Sequence, residues 1–213
     1  MSAGEQRVRL FVALAVPAEV KSSLAAIQDE LRAQLPPRAA SWTRTENIHL
    51  TLRFLGDVDP ARIEALTSAL SSTVTDFAPL PLVAERVGCF PDLRYPRVFW
   101  AWVHDAGERE RLAELHQRIG VATAGFTREP DEKRFVGHLT LARFKQIKRP
   151  QAQLIAAFAH RAVDRRFGDW TAAAVELMRS ELAPGGSRYT CLAELPMGHL
   201  LQGRLEACPI DPG

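Results

Sequence analysis

The chain has 213 residues, of which 46% are hydrophobic and 24% are charged, so it can bury a sizeable core in one domain or in two small lobes. Its 27 basic and 25 acidic residues give a formal charge of +2, which excludes a general polyelectrolyte attraction to nucleic acid over the whole surface. An anionic ligand therefore has to be held locally. No apolar stretch approaches the roughly 18 residues that a membrane span needs. The three cysteines are odd in number and show no metal-ligand spacing, which fits a reduced, cytoplasmic location.

The first predicted element is a buried strand over the apolar stretch RLFVALAV. The arginines around its start give it some likeness to a signal peptide, but the run is short and an amphipathic helix pattern follows Pro17. A second strand is predicted for NIHLTLRFLG, and a second helix begins at Asp59-Pro60. Two strands, LPLVAERVGCF and RVFWAWVH, close the first half of the chain.

The same order of elements returns in the second half. A helix is predicted over 108–124, a strand over GHLTLARF and a helix from Pro150. Two further strands, AAVELMRSEL and RYTCLAEL, are separated by the turn-forming stretch APGGS. We therefore predict a single domain over 1–213 that is built from two lobes, with repeat units at about 17–104 and 108–195.

The tetrapeptide HLTL occurs once in each half, with 89 positions between His49 and His138. Side chains alternate across a strand, so His49 and Thr51 share one face while the leucines share the other. The same holds for His138 and Thr140. If the halves are related by an approximate two-fold axis, the two histidines and two threonines line one cleft.

This set of side chains suits hydrolysis of a phosphodiester. One histidine can take a proton from water while the other protonates the departing oxygen, and threonine hydroxyls can donate hydrogen bonds to phosphate oxygens. A strained five-membered cyclic phosphate is a suitable substrate. One histidine in a strand is more often structural, but an identical second motif in a chain with six histidines favours catalysis.

Two His-hydrophobic-Thr-hydrophobic motifs, one in each half, resemble the signature of the 2H phosphoesterase superfamily, in particular its RNA 2′,3′-cyclic phosphodiesterase (2′-5′ RNA ligase) branch. The flanking stretches that share the resemblance are RLFVALAVP, Trp42 before ENIHLTLRFLGDV, GCFP with PRVFWAWV, HLTLARF and SELAPGGSRYTCL. The resemblance implies an α+β, bilobal duplicated fold with two antiparallel sheets lining a central cleft and helices outside. It also implies hydrolysis of RNA 2′,3′-cyclic phosphate ends to 2′-phosphomonoesters, with 2′-5′ ligation as the reverse reaction, and no required metal or cofactor.

The resemblance also assigns Arg143, shortly after the second motif, to phosphate binding. Strict alternation places Arg143 on the face opposite His138, so a bulge or the strand end has to turn it inward. Arg53 has the parity of His49 and is a rival phosphate ligand, although an ion-paired or solvent-facing arginine is the simpler interpretation. Gly137 stands where the family often has proline, and we expect it to loosen the approach to the second histidine.

Three aromatic residues, Phe11, Trp42 and Tyr189, are candidates for stacking on a nucleobase, with core packing as the alternative. Trp100 and Trp102 share a strand face and are expected to pack against a helix. The arginine cluster DRRFGD and the stretch RFKQIKR are candidates for a basic rim that follows an RNA backbone, with a solvated charged surface as the alternative.

We assign His49 as the proton donor and His138 as the proton acceptor, although two identical tetrapeptides leave these roles open. A zinc hydrolase is disfavoured, because each motif supplies one imidazole beside a poor zinc ligand. A protein that binds RNA ends without turnover and a phosphodiesterase of another small cyclic nucleotide stay open as alternatives. The expected partner is RNA with a 2′,3′-cyclic phosphate end, or a cyclic nucleotide, and not a membrane. The absence of heptads favours a monomer.

Overall fold

The computed structural model describes residues 7–107, 110–130, 135–183 and 186–198. Its nine strands in those ranges are β1 (Val8–Leu14), β2 (Ala40–Trp42), β3 (Leu50–Val58), β4 (Leu80–Phe90), β5 (Val98–Asp105), β6 (His138–Phe144), β7 (Arg166–Ala172), β8 (Ala174–Ala183) and β9 (Gly186–Pro196). The α-helices in those ranges are α1 (Ala18–Arg32), α2 (Ile63–Val74), α3 (Arg111–Thr123) and α4 (Arg149–Arg161). None of these helices is long and apolar enough to cross a membrane.

The helices form where apolar residues recur at helical spacing. In α1 the residues Val20, Leu24, Ile27 and Leu31 are all buried, so this helix packs one apolar face against the rest of the core. The start of the α2 segment is fixed by the Asp59 carboxylate, which accepts a hydrogen bond from the amide of Ala61 in the preceding 3₁₀ turn.

The strands form an antiparallel sheet in the order β7-β4-β5-β6-β3-β1-β8-β9, with β2 paired to β6. One residue pair, Leu50 with Leu139, joins β3 to β6 at the middle of this order. The expected pair of antiparallel sheets is therefore present as two sides, β9-β8-β1-β3 and β6-β5-β4-β7, that meet at the two HLTL motifs. The helices pack against these strands or, in the case of α2 and α3, also against each other.

Each side of the sheet contains strands from both halves of the chain. Strand β5 from the first half pairs with β6 and carries β4 on its other edge, whereas β8 from the second half pairs with β1 and carries β9 on its other edge. Neither half of the sequence therefore forms a complete side of the sheet alone.

Two strands were not expected from the sequence. β2 is only three residues long, and β7 lies in the RFGDWTA stretch, whose charges and glycine obscure any alternation. β7 forms because β4 offers it a long antiparallel partner, from Leu80 beside Ala172 to Glu85 beside Arg166. Parts of the predicted helix 108–124 and of the APGGS turn fall outside the described residues.

Candidate active site

The two HLTL motifs cross each other in antiparallel directions at the centre of the sheet. Leu50 pairs with Leu139, and both side chains are fully buried in the core. Because the strands run antiparallel, the residues on one side of this pair are His49 and Thr140, which lie across from each other. On the other side, Thr51 lies across from His138. The crossing thus sets each histidine beside the threonine of the other motif.

Both imidazole rings are held by the same local hydrogen bond. Nδ1 of His49 lies 2.7 Å from the carbonyl oxygen of Asn47, and Nδ1 of His138 lies 2.8 Å from that of Val136. A carbonyl oxygen only accepts, so Nδ1 carries the proton and donates in each case. In the neutral ring Nε2 is then the basic nitrogen, which gives both histidines the same tautomer and the same polarity.

Aromatic rings flank the first histidine. The ring centroid of Phe11 lies 4.7 Å from that of His49, and the ring of Tyr189 meets His49 edge-on at 5.2 Å. Phe11 is almost completely buried, so it forms one wall of the histidine's surroundings. The candidates Phe11 and Tyr189 therefore lie beside the first motif.

The second histidine has a matching aromatic surrounding. Phe90 meets His138 edge-on at 5.0 Å, and the centroid of Trp100 lies 6.4 Å from the same imidazole. The expectation that Trp100 and Trp102 pack against a helix is wrong, since Trp102 stacks on His104 at 4.3 Å. The sequence spacing is consistent with this position of Trp100. Trp100 follows Phe11 by 89 positions, the interval that separates the two histidines, so the two aromatic residues occupy equivalent positions beside the two histidines.

The pKa of His49 is lowered from its ordinary value, chiefly because burial penalises the charged ring. The hydrogen bond to Asn47 raises this pKa, whereas the positive charges of Lys21 and His138 lower it. Since the charge of His138 acts on this pKa, the two histidines lie within electrostatic reach of each other. In the unliganded protein the neutral form of His49 is favoured.

Arg143 reaches the histidine face through a β-bulge. The register with β5 pairs Phe99 with Ala142 and Trp100 with Thr140. Leu141 is thus an extra residue, and the bulge reverses the alternation that follows it. As a result Arg143 lies on the same face as Thr140 and lines the cavity beside it.

A matching bulge in β3 sends Arg53 to the opposite face. The register with β1 pairs Ala13 with Thr51 and Val12 with Arg53. Arg53 is only 6% exposed, and its guanidinium donates to the backbone carbonyls of Glu129 and Pro130 at 3.2 and 3.3 Å. Strict alternation would have placed Arg53 on the same face as His49, but the bulge between Thr51 and Arg53 reverses the alternation, so Arg53 is not a phosphate ligand in this arrangement.

A cavity of about 420 Å³ lies over this crossing. Its lining residues are Arg9, Phe11, Thr43, Asn47, His49, Thr51, Phe54, Thr140, Arg143, Ser180, Leu182, Ser187 and Tyr189. His138 is not among them and lies at the edge of the motif, in contact with Phe90 and Trp100. The described residues contain no group of three or more histidine, cysteine or acidic side chains placed to hold a metal ion.

Trp42 does not line this cavity, and the expectation that it stacks on substrate is not supported by its position. It lies in β2, where the guanidinium carbon of Arg32 sits 4.9 Å from its ring centroid and the ring packs on the core. The next residue, Thr43, lines the cavity instead, because alternation turns it to the other face.

Several lining residues were not found from the sequence. Phe54 follows the bulge in β3, and Arg143 follows the bulge in β6. The two residues are 89 positions apart, like the two histidines, so this interval indicates Phe54 as the counterpart of Arg143. Ser180 and Ser187 carry no local signal. The side-chain amide of Asn47 donates to the carbonyl of Ser187 at 2.8 Å, which ties the segment before His49 to β9.

Gly137 does not loosen the approach to the second histidine, as was expected. It is buried, and its carbonyl accepts a hydrogen bond from the amide of Val103 at 2.9 Å. A Cβ at this position would overlap the carbonyl oxygen of Val103 and press on Leu112. The glycine therefore permits a close backbone contact next to His138.

Comparisons with known proteins match nearly the whole chain. The family described as LigT like Phosphoesterase matches twice, over residues 14–100 and 103–189. An RNA 2′,3′-cyclic phosphodiesterase of Archaeoglobus fulgidus is 32% identical over 183 residues, which cover 85% of this chain and 96% of the relative. One of Thermotoga maritima is 31% identical over 193 residues, covering 88% and 94%. The crystal structure of TT0787 of Thermus thermophilus superposes with a TM-score of 0.71 at 28% identity, covering 89% of this chain and 97% of that one.

Proposed function

Because the chain belongs to the LigT-like family of 2H phosphoesterases, we propose that its cleft hydrolyses 2′,3′-cyclic phosphate ends of RNA to 2′-phosphomonoesters. The observation that carries this proposal is the antiparallel crossing of the two motifs, which brings two imidazoles and two hydroxyls to one face. Two histidines of the same tautomer supply a base and an acid without any further group.

In the proposed reaction His138 takes a proton from water on Nε2 as the water oxygen bonds to phosphorus. The bond from phosphorus to O3′ breaks, and His49 gives a proton from Nε2 to that oxygen. The hydroxyls of Thr51 and Thr140 donate to the non-bridging oxygens, and the guanidinium of Arg143 neutralises the charge on the phosphoryl group. The phosphate remains on O2′.

The lowered pKa of His49 is compatible with its role as acid because the substrate is an anion. The burial that disfavours the imidazolium in the empty cleft is offset when a phosphodiester lies beside the ring. Binding of substrate thereby charges the acid where it is needed.

The biological setting is part of the same proposal. We propose that the protein acts as a monomer in the cytoplasm on RNA ends, and that the same groups with exchanged roles perform 2′-5′ ligation. Binding of RNA ends without turnover, and hydrolysis of another small cyclic nucleotide, are the competing functions. The duplicated units at about 17–104 and 108–195 stay a prediction.

The decisive experiment incubates an RNA oligonucleotide ending in a 2′,3′-cyclic phosphate with the protein in EDTA and resolves the 2′- and 3′-monophosphates. We expect a 2′-phosphate from the wild type and a loss of at least about 100-fold in kcat for both His49→Ala and His138→Ala. His160→Ala, at an exposed position at the end of α4, is the matched control and keeps full activity. Tight binding with no product would favour the non-catalytic alternative, and activity abolished by EDTA would favour a metal enzyme.

A second substrate separates the two histidines. A nitrophenyl phosphodiester has a leaving group that departs without protonation, so it needs the base but not the acid. His49→Ala should therefore retain far more of the wild-type rate on this substrate than His138→Ala does. The reverse order would exchange the two roles and leave the proposed reaction intact.

A further inference from the structure

A second cavity, of about 430 Å³, lies where the β4–β5 loop meets the segment between β6 and α4. Its lining includes four cationic side chains and one tyrosine, and we call this set the basic pocket: Arg94, Tyr95, Arg97, Lys145 and Lys148. Among the described residues, no acidic side chain lines it. A chain with a formal charge of only +2 thus concentrates four positive charges at one site.

The cations of the basic pocket differ from other arginines on this surface. Arg165 pairs with Glu30 at 2.8 Å and Arg166 with Asp169 at 3.2 Å, so the DRRFGD cluster is neutralised by its own neighbours. Within the described part of the chain, none of the four cations of the basic pocket forms an ion pair. Four exposed positive charges without counter-charges attract an anion that the protein does not itself supply.

The basic pocket adjoins the candidate active site at the end of β6. Arg143 is the second-last residue of β6 and Lys145 is the first residue after it; both are exposed, whereas Phe144 between them is buried. Arg143 lines the candidate active site, whereas Lys145 lines the basic pocket. At the end of β6 the linings of the two cavities are therefore only two residues apart along the chain.

The basic pocket also holds an exposed aromatic ring on a fixed turn. Tyr95 is 73% exposed, which is unusual for a large aromatic side chain. The carboxylate of Asp92 accepts hydrogen bonds from the amides of Arg94 and Tyr95 at 2.7 and 2.9 Å, which fixes the turn and occupies this acidic group. The N-terminus of α4 at Arg149 adds the positive end of a helix dipole.

We propose that the basic pocket binds the single-stranded RNA that precedes the cyclic phosphate end, with phosphates on the four cations and a base stacked on Tyr95. A positive groove combined with an exposed aromatic ring is the arrangement by which proteins hold single strands without reading their sequence. The inference rests on the proposed function and makes an RNA strand, rather than a free cyclic nucleotide, the preferred substrate.

The test compares a short RNA ending in a 2′,3′-cyclic phosphate with a 2′,3′-cyclic mononucleotide, which lacks the preceding nucleotides that the basic pocket is proposed to bind. The variant Arg94→Ala/Lys148→Ala removes two of the four cations, and Arg165→Ala/Arg166→Ala removes two paired arginines elsewhere as the control. We expect the first variant to lose about tenfold in kcat/KM on the RNA and nothing on the mononucleotide. Its salt dependence on RNA should also become shallower, by about 0.7 in log–log slope for each phosphate that the protein no longer neutralises.

Tyr95 gives an independent arm of the same test. Tyr95→Ala should lower kcat/KM on the RNA by about tenfold, because base stacking on an aromatic ring is lost. Tyr95→Phe keeps the ring and should retain the wild-type value. Neither variant should affect the mononucleotide.

Loss of activity on both substrates alike, no loss on either, or an equal loss in the control variant would overturn the inference. A wild type that hydrolyses neither substrate would instead contradict the proposed function. In that case, fluorescence anisotropy of the same RNA carrying a 2′-phosphate tests the inference without any need for catalysis. Weaker RNA binding by Arg94→Ala/Lys148→Ala than by the control variant supports the inference, and equal binding overturns it.

Discussion

The ionisation of His49 reflects opposing effects at a single residue. Burial and the charge of Lys21 lower its pKa, whereas the hydrogen bond to Asn47 raises it. The pKa of His49 is lower in the folded state than in the unfolded state. At pH values between these two pKa values, the unfolded chain therefore binds more protons than the folded protein. The contribution of His49 to the free energy of unfolding therefore decreases as the pH falls through that interval.

We predict that an NMR titration of the free protein gives a His49 pKa below the ordinary value of about 6.5. Lys21→Met should raise this pKa because a positive charge is removed, and inorganic phosphate should raise it because an anion enters the cleft. Lys148→Met, in the basic pocket, is the control that leaves it unchanged in phosphate-free buffer. A pKa of His49 at or above the ordinary value in the free protein would contradict the role given to burial.

Two arginines near the motifs have exchanged the positions that alternation alone assigns to them. The sequence predicts the strands and the faces of His49 and Thr51, because both precede the bulge. It does not predict the side on which Arg53 and Arg143 lie, because one extra residue in the pairing of each strand reverses the alternation. A bulge is a property of the register with the neighbouring strand and leaves no mark in the strand's own sequence.

Variants of these two arginines should therefore have opposite effects. Arg143→Gln should lower kcat/KM by about 10- to 100-fold, the equivalent of about 1.5–3 kcal/mol for charge-assisted hydrogen bonds, with little change in stability. Arg53→Met should lower the free energy of unfolding by about 1–3 kcal/mol, because the two hydrogen bonds that tie Glu129 and Pro130 to β3 are lost, while the folded protein keeps its kcat/KM. Urea unfolding and steady-state kinetics measure both quantities. A loss of activity without loss of stability in Arg53→Met would place that arginine at the substrate.

The close contact of Gly137 gives a second prediction at the level of the strand. Gly137→Ala should lower the free energy of unfolding by about 1–3 kcal/mol, since the new methyl group meets the backbone of Val103, and should lower kcat because His138 is the next residue. Gly125→Ala is the matched control, because nothing lies within 4 Å of a Cβ there. Thermal unfolding of both variants in parallel measures the difference, and equal stabilities would show that β5 accommodates the methyl group without cost.

In the whole molecule, the duplication was visible in the sequence but the exchange of strands was not. Repeated landmarks indicate that two similar units exist, and the identical tetrapeptides indicate where they meet. They do not indicate that β5 pairs with β6, or that β8 pairs with β1, because these pairings join residues far apart in the chain. The cavity consequently collects side chains from β1, β3, β6, β8 and β9, of which only the HLTL residues belong to a recognisable motif.

The exchange of strands makes each half dependent on the other. A fragment ending at Gly107 contains β4 and β5 without β6 and β7, and it contains β1 without β8. We expect this fragment and its complement to lack a cooperative thermal transition when separate, and to recover both the transition and hydrolysis of the cyclic phosphate when mixed. A full-length chain with a protease site inserted after Gly107 and cut after folding is the control, and it should stay assembled and active. Cooperative unfolding of either fragment alone would show that a single half can complete its own sheet. The pairing of Leu50 with Leu139 would then be enough to bring the two histidines together.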